Sequence, residues 1–442
     1  MLAMCTTSLK RVYCDREASL ITIGQKGLGK TQSMIALVKA LANMPARTID
    51  VHGAKVEKQI LPDLVIYDPK TGVLKATRKE LQNLGYRIYT LDIREPAKSD
   101  LLYDPLSILD PLDTYDYDRQ LDALARLISP QAMHGRNDHF DSYPRIMIAG
   151  VIKHCLIAKK VGLAECVERL IVSKTERDKL FKEMGNSRDP IIQGAVEAFE
   201  SAGDREKGSF ITTNFEKMKF WLRPSVKYIT QGGPGDLAKI NWTWEKVFDD
   251  PDPVAVFIVG GLGTDEGSLV RLIVGNAINS ARRRFNKSEE PLKKPLWLLI
   301  DECKTLGYCD AVMNINRELR EAGVNLGMWW LSYEDGKKTY PDWITLLSGC
   351  DKIIYGNSGD LEWYGHIEKE LGKTTVQTKS ESESAYSKGK GRHEASRNLK
   401  DASELAELPF EDCIGIFRSK KGVLKVHGRK PFFIKNNQVG FY

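Results

Sequence analysis

Two apolar rhythms alternate along this chain. Short, nearly unbroken apolar runs, such as "ASLITI" from Ala18, "LPDLVIYD" from Leu61 and "YRIYTLD" from Tyr86, predict buried strands. Between them, "KTQSMIALVKALANM" from Lys30 and "LKATRKELQNLG" from Leu74 space their apolar residues as a helix does, the second closed by Gly85. Strand then helix, repeated, argues for a parallel, doubly wound α/β sheet.

The rhythm changes near Asp116 and is helical almost throughout to residue 231, as in "RQLDALARLI", "RIMIAGVIKHCLIAKK" and "SFITTNFEKMKFWL". This predicts a separate all-α domain over 116–231. "TQGGPGDLAKINW" marks the return, followed by strand-like "PVAVFIVGG", "PLWLLIDE", "NLGMWWLS" and "CDKIIYGN". The α/β domain is therefore expected to be discontinuous, 1–115 with 232–442. Within it the polar, Gly/Ser-rich "KSESESAYSKGKGRHEASR" predicts a mobile loop over 379–398.

Composition narrows the class. A chain of 442 residues with 42% hydrophobic residues can bury a large core. No apolar run is long enough to span a membrane, and the first 20 residues lack the apolar block of a signal peptide. The eight cysteines are scattered without a C-x-x-C pair, which predicts a reduced, cytosolic protein. Net charge is only +6, yet residues 414–442 hold seven Lys or Arg and no acid. Such a tail fits either a nucleic-acid channel or an ordinary solvent-facing sheet edge.

The sharpest motif is "GQKGLGKT", Gly24 to Thr31, a G-x-x-x-x-G-K-T phosphate loop between a predicted strand and a predicted helix. Gly24, Gly27 and Gly29 let the backbone curl so that its N–H groups, with those of Lys30, Thr31 and Gln32, converge on phosphates. Lys30 is expected at the β and γ phosphates, and the Thr31 hydroxyl on Mg2+. A second carboxylate site must lie on a neighbouring strand, and the apolar run Leu296 to Ile300 ends in Asp301 and Glu302. Asp301 would orient the metal shell and Glu302 would polarise the attacking water. An apolar run ending in Asp-Glu is common as a mere strand cap, and the phosphate loop is what favours hydrolysis. No N-K-x-D motif marks a GTPase, so ATP is the expected nucleotide. Downstream, Arg317 and Arg320 are candidates for a transition-state arginine supplied to a neighbouring subunit, or else solvated helix charges paired with Glu318 and Glu321. Trp329 and Trp330 lie in an apolar strand and read as core.

In this order the motifs resemble the type IV secretion coupling proteins, the VirD4/TraG/TraD family of conjugative DNA-pumping ATPases. The likeness runs from about residue 18 to the C-terminus through "DLVIYDPKTG", "YRIYTLD", Asp104-Pro105-Leu106, "DHFDSYPRIMIAGVIKHC", "GSFITTNFEKMKFWLRPSV", "LLIDECKTLG", "RELREAGVN" and "EKELGKTTV". The resemblance implies a RecA-like P-loop NTPase with an inserted all-α domain. It further implies a homo-hexamer with Mg2+ and ATP at subunit interfaces and DNA in its pore. Lys30 and Glu302 would be catalytic, Thr31 and Asp301 would hold the metal, and Arg320 aligns with the arginine finger. Relaxosome or effector proteins and type IV secretion components are the implied partners, and a bacterial cytoplasmic location with recruitment to the inner membrane follows.

Three departures stand out. Leu331 and Asp335 replace the glutamines of the family's Q-S-x-x-Q-L stretch, leaving Ser332, Glu334 or Asp335 to sense the γ phosphate, if anything there does. "DPKTGV" replaces Asp-x-Lys-Gly-Glu, which leaves the role of Lys70 open. The family's N-terminal membrane anchor has no counterpart, which points to a naturally soluble member or to a chain without its anchor. Alternatives are an FtsK/HerA-like DNA packaging ATPase and a non-hydrolysing, nucleotide-dependent substrate receptor.

Overall fold

The computed structural model describes residues 3–5, 11–12, 18–45, 47–51, 54–110, 112–113, 115–130, 138–159, 162–231, 242–261, 263–313, 315, 319–356, 358–384, 387–419, 422–433 and 439–441. In chain order its strands are β1 (Ala3–Cys5), β2 (Arg11–Val12), β3 (Ser19–Ile23), β4 (Arg47–Val51), β5 (Ala54–Lys58), β6 (Asp63–Asp68), β7 (Arg87–Asp92), β8 (Val254–Val259) and β9 (Leu296–Ile300). They continue as β10 (Val324–Trp330), β11 (Cys350–Tyr355), β12 (Lys373–Ser384), β13 (Ser387–Asn398), β14 (Asp412–Ser419), β15 (Gly422–Arg429), β16 (Pro431–Phe433) and β17 (Val439–Phe441).

Eleven strands form one sheet in the order β2-β1-β15-β14-β11-β3-β10-β9-β6-β8-β7. From β11 to β7 the pairing is parallel, and β14, β15, β1 and β2 extend it in antiparallel fashion. Every residue of β3, β6, β8, β9, β10 and β11 is buried, because helices cover both faces of a parallel sheet.

The period of two in those strands sorts their residues into two cores. Leu20, Leu64, Ile66, Phe257, Leu299 and Trp329 face one layer, built with α1 (Lys30–Ala42) and α2 (Gly72–Asn83). Their neighbours Ile21, Val65, Tyr67, Ile258, Ile300 and Trp330 face the other. That second core runs without interruption into α3 (Tyr117–Ile128), α4 (Asp138–Lys159), α5 (Leu163–Ile171), α6 (Lys174–Gly185), α7 (Pro190–Glu200), α8 (Asp204–Met218) and α9 (Pro224–Gln231). Trp329 and Trp330 are fully buried, as their apolar strand predicts.

Over most of the segment 379–398 the described residues form part of an antiparallel hairpin, in which β12 pairs with β13 from Lys373↔Asn398 to Ser384↔Ser387. Backbone hydrogen bonding decides that geometry, and a polar composition gives no hydrophobic alternation by which to foresee it. Part of the basic tail lies in β14 and β15, antiparallel strands flanked by β11 on one side and β1 on the other. Arg418 pairs with Glu370, Lys425 donates to the Leu371 carbonyl at 2.6 Å, and Lys430 is buried between the Tyr355 and Phe410 rings. Lys420, Lys421 and Lys435 lie outside the described residues. Cys155, Cys166, Cys303, Cys309, Cys350 and Cys413 are buried free thiols. Among the described residues no helix is long and apolar enough to cross a membrane.

Candidate nucleotide site

Parallel pairing brings the carboxyl ends of three strands to one edge. Trp330 is level with Ile23, Met328 with Ile300, and Tyr67 with Ile300, so Gly24, Asp301 and Asp68 emerge together. Ligands of open α/β sheets bind in this kind of crevice.

The loop after β3 curls through Gly27 and Gly29, whose φ angles of 86° and 91° fall in the left-handed region. Gly29 caps α1 and offers no side chain to its first N–H groups, so the end of a 13-residue helix faces the crevice uncapped. That arrangement suits an anion. Lys30 is buried, and its ammonium donates to the Gly24 carbonyl at 2.5 Å and the Gln25 carbonyl at 2.9 Å. Burial lowers its pKa, against the opposing charges of Glu302 and Asp301. The buried Gln32 Oε1 has no hydrogen-bond partner among the described residues.

Thr31 Oγ1 donates to Asp301 Oδ2 at 3.5 Å, which joins the loop to the end of β9. Asp301 is buried, and burial, reinforced by the negative charges of Glu302 and Asp68, pushes its carboxyl up to about 6. No cluster of three or more His, Cys, Asp or Glu able to hold a metal exists among the described residues. A hydroxyl and one carboxylate side by side still fit Mg2+, which usually takes one or two protein oxygens together with water and substrate phosphates.

The sign of the pH effect follows. In the nucleotide-free fold Asp301 takes up a proton as pH falls through 6, and a protonated carboxyl is a poor magnesium ligand. Magnesium-dependent nucleotide affinity is therefore expected to fall roughly tenfold per pH unit below about 6. Calorimetric titration from pH 7 to pH 5 checks this, with Asp301→Asn expected to flatten the profile. Stability of the empty fold runs the other way: native Asp301 holds its proton more tightly than the unfolded chain, so acidification toward pH 4 relieves a destabilisation.

Glu302 adopts φ 59° and ψ 57°, a left-handed conformation uncommon in a residue with a side chain. It heads the short helix Cys303–Leu306, and its Oε1 lies 3.8 Å from Lys70 Nζ. Lys70 sits in the turn after β6. There Asp68 accepts from the Gly72 and Leu74 N–H groups at 3.1 and 2.9 Å, and Thr71 is also left-handed, at φ 59°. A Cβ on Gly72 would stand 3.6 Å from Thr31 Cγ2, so this turn lies against the phosphate loop.

The structure thus gathers Gly24, Gly27, Gly29, Lys30, Thr31, Gln32, Asp301 and Glu302, and adds Asp68 and Lys70. Asp-x-Lys was their signal in the sequence, without a role attached. It does not bring Arg320 there. Arg320 is exposed just before β10, at the opposite end of the sheet, where it lines a cleft of about 990 Å³ with Pro62, Pro295 and Gly323. Arg317 lies outside the described residues. The candidates around the missing glutamines are engaged elsewhere: Ser332 caps the helix Tyr333–Thr339, Asp335 pairs with Lys304 at 2.7 Å, and Glu334 pairs with Lys338 at 3.3 Å.

Comparison with known proteins gives a consistent picture. The family model described as type IV secretory system conjugative DNA transfer matches residues 59–439, starting beyond the phosphate loop. A search of curated proteins finds no sequence match. Among solved structures, the bacterial conjugative coupling protein TrwBdeltaN70, unbound, superposes with TM-score 0.69 at 16% identity over 94% of this chain and 85% of that one. Plasmid coupling protein TrwB in complex with ADP and Mg2+ gives 0.67 at 16% identity over 95% and 87%. VirB4 of Thermoanaerobacter pseudethanolicus gives 0.52 at 11% over 99% and 97%. At such identities these likenesses establish a shared fold, a RecA-like sheet with helices.

Proposed function

The chain belongs to the type IV secretory system conjugative DNA transfer family, and from that premise we propose that it is a Mg-ATP-driven translocase that passes DNA or a nucleoprotein to a conjugation channel. The observation that carries the reading is the meeting of Lys30, Thr31, Asp301 and Glu302 at one sheet edge beside an uncapped helix end.

In this reading the α1 N-terminus and the loop backbone bind the phosphates, and Lys30 exchanges its two loop carbonyls for β and γ oxygens. Thr31 and Asp301 would hold Mg2+, which when bound offsets charge on the β and γ phosphates. Glu302 takes the proton of the attacking water. Arg320, too remote to serve its own site, serves that of a neighbouring copy in a homo-hexamer. We divide the chain as its strands and helices suggest, 1–115 with 232–442 for the motor and 116–231 for the all-α part. DNA, relaxosome or effector proteins and secretion components are the partners, with any membrane reached through them.

The test is ATP hydrolysis by the purified chain with and without single- and double-stranded DNA. DNA-stimulated turnover that is lost in Lys30→Ala is expected. Nucleotide binding without turnover on either DNA would instead favour a nucleotide-dependent receptor, the reading that the missing glutamines motivate.

A further inference from the structure

Glu302 has one cation close by that is not part of the phosphate loop, and its setting is unusual. Lys70 stands 3.8 Å from the Glu302 carboxylate, and its charge is also felt by Lys30 and Asp301. One partner, Glu302, and the residue that follows the other are held in backbone that ordinary side chains avoid. Thr71, next to Lys70, and Glu302 itself hold φ near 59°, an arrangement that costs on the order of 1–3 kcal/mol per residue and persists where surrounding contacts enforce it. The contacts are visible: the buried carboxylate of Asp68 ties down the turn through Gly72 and Leu74, and Gly72 rests against Thr31.

The pair is also weak by construction. Lys70 is 57% exposed, Glu302 is 13% exposed, and an exposed ion pair at this distance is worth about 1 kcal/mol or less. A γ phosphate held on Lys30 and Thr31 would carry more negative charge than one carboxylate and would draw the flexible ammonium away.

Resting on the ATPase reading above, we propose that Lys70 is the γ-phosphate sensor of this chain. Without a γ phosphate it pairs with Glu302 and restrains the base. With one it donates to the terminal phosphate oxygens and releases the carboxylate to orient water. This assigns to the turn after β6 the task that Leu331 and Asp335 cannot perform. Leu331 has no polar side-chain atoms, and Asp335 is held by Lys304.

The assignment predicts a split between nucleotides. Fluorescent ADP and a non-hydrolysable ATP analogue, both with Mg2+, are titrated against the full chain, Lys70→Met, Lys70→Arg, Glu302→Gln and the Lys70→Met/Glu302→Gln pair. Lys70→Met is expected to weaken the analogue about tenfold while leaving ADP within twofold, the loss of one charge-assisted hydrogen bond. Lys70→Arg is expected to restore most of it. Glu302→Gln, which frees the ammonium, is expected to tighten the analogue several-fold, a gain that disappears in the double variant. Equal weakening of both nucleotides in Lys70→Met, or no change in either, overturns the sensor assignment and leaves the ATPase reading standing. Failure of the unaltered chain to bind either nucleotide overturns both.

Discussion

Arg320→Ala is expected to lower ATP turnover by a factor of about 10³ or more while nucleotide affinity stays within a few-fold. Arg320 precedes β10, whereas the phosphates belong at the far ends of β3 and β9, and β9 alone runs five residues. At about 3.3 Å per residue the separation is on the order of 15 Å or more, beyond the reach of an arginine within one chain. The side chain is exposed beside a cleft of about 990 Å³, so a second copy can approach it. An arginine that meets transition-state charge from a neighbouring subunit fits this placement. The discriminating measurement mixes two inactive variants. Arg320→Ala keeps a complete phosphate site and lacks the finger, whereas Glu302→Gln keeps the finger and lacks the base. In the proposed ring, a mixture would contain interfaces at which an intact finger faces an intact site, so activity should return. A mixture as inactive as its components would sink the assignment in trans and return Arg320 to an ordinary surface charge.

Glu302→Gln alone is expected to reduce turnover by roughly 10² to 10⁴, with magnesium-nucleotide binding retained or tightened. The substitution keeps the size and reach of the side chain and removes the ability to accept a proton. Because the backbone of Glu302 is already in the left-handed region and neighbouring contacts hold it there, glutamine inherits the same placement. Single-turnover measurement separates chemistry from product release. Wild-type single-turnover rates in this variant would remove Glu302 from the proton-transfer step.

How far the sequence reveals this arrangement depends on the kind of signal each residue leaves. Leu20 to Ile23, Leu64 to Tyr67 and Leu296 to Ile300 are legible because burial on both faces demands continuous apolar runs, and the residue that ends such a run marks the functional edge. Hence Gly24, Asp68 and Asp301 can be placed before any coordinates exist. The contact between Lys70 and Glu302 is not legible, since the two residues lie 232 positions apart in the chain and an ion pair imposes no periodicity. Nor is the hairpin of β12 and β13, whose backbone pairing leaves no apolar alternation. The end of the sheet on which Arg320 falls depends on strand direction, which follows only once β10 is known to run parallel to β9.

The shared core described above has a mechanical meaning. Ile300 and Tyr67, which immediately precede Asp301 and Asp68, pack in the same uninterrupted apolar body as Leu121, Met147, Val167 and Trp221 of the helices. Close-packed interiors resist compression and pass strain onward. A shift of the strand ends on nucleotide exchange would therefore be passed to the helices packed against them rather than absorbed at the contact.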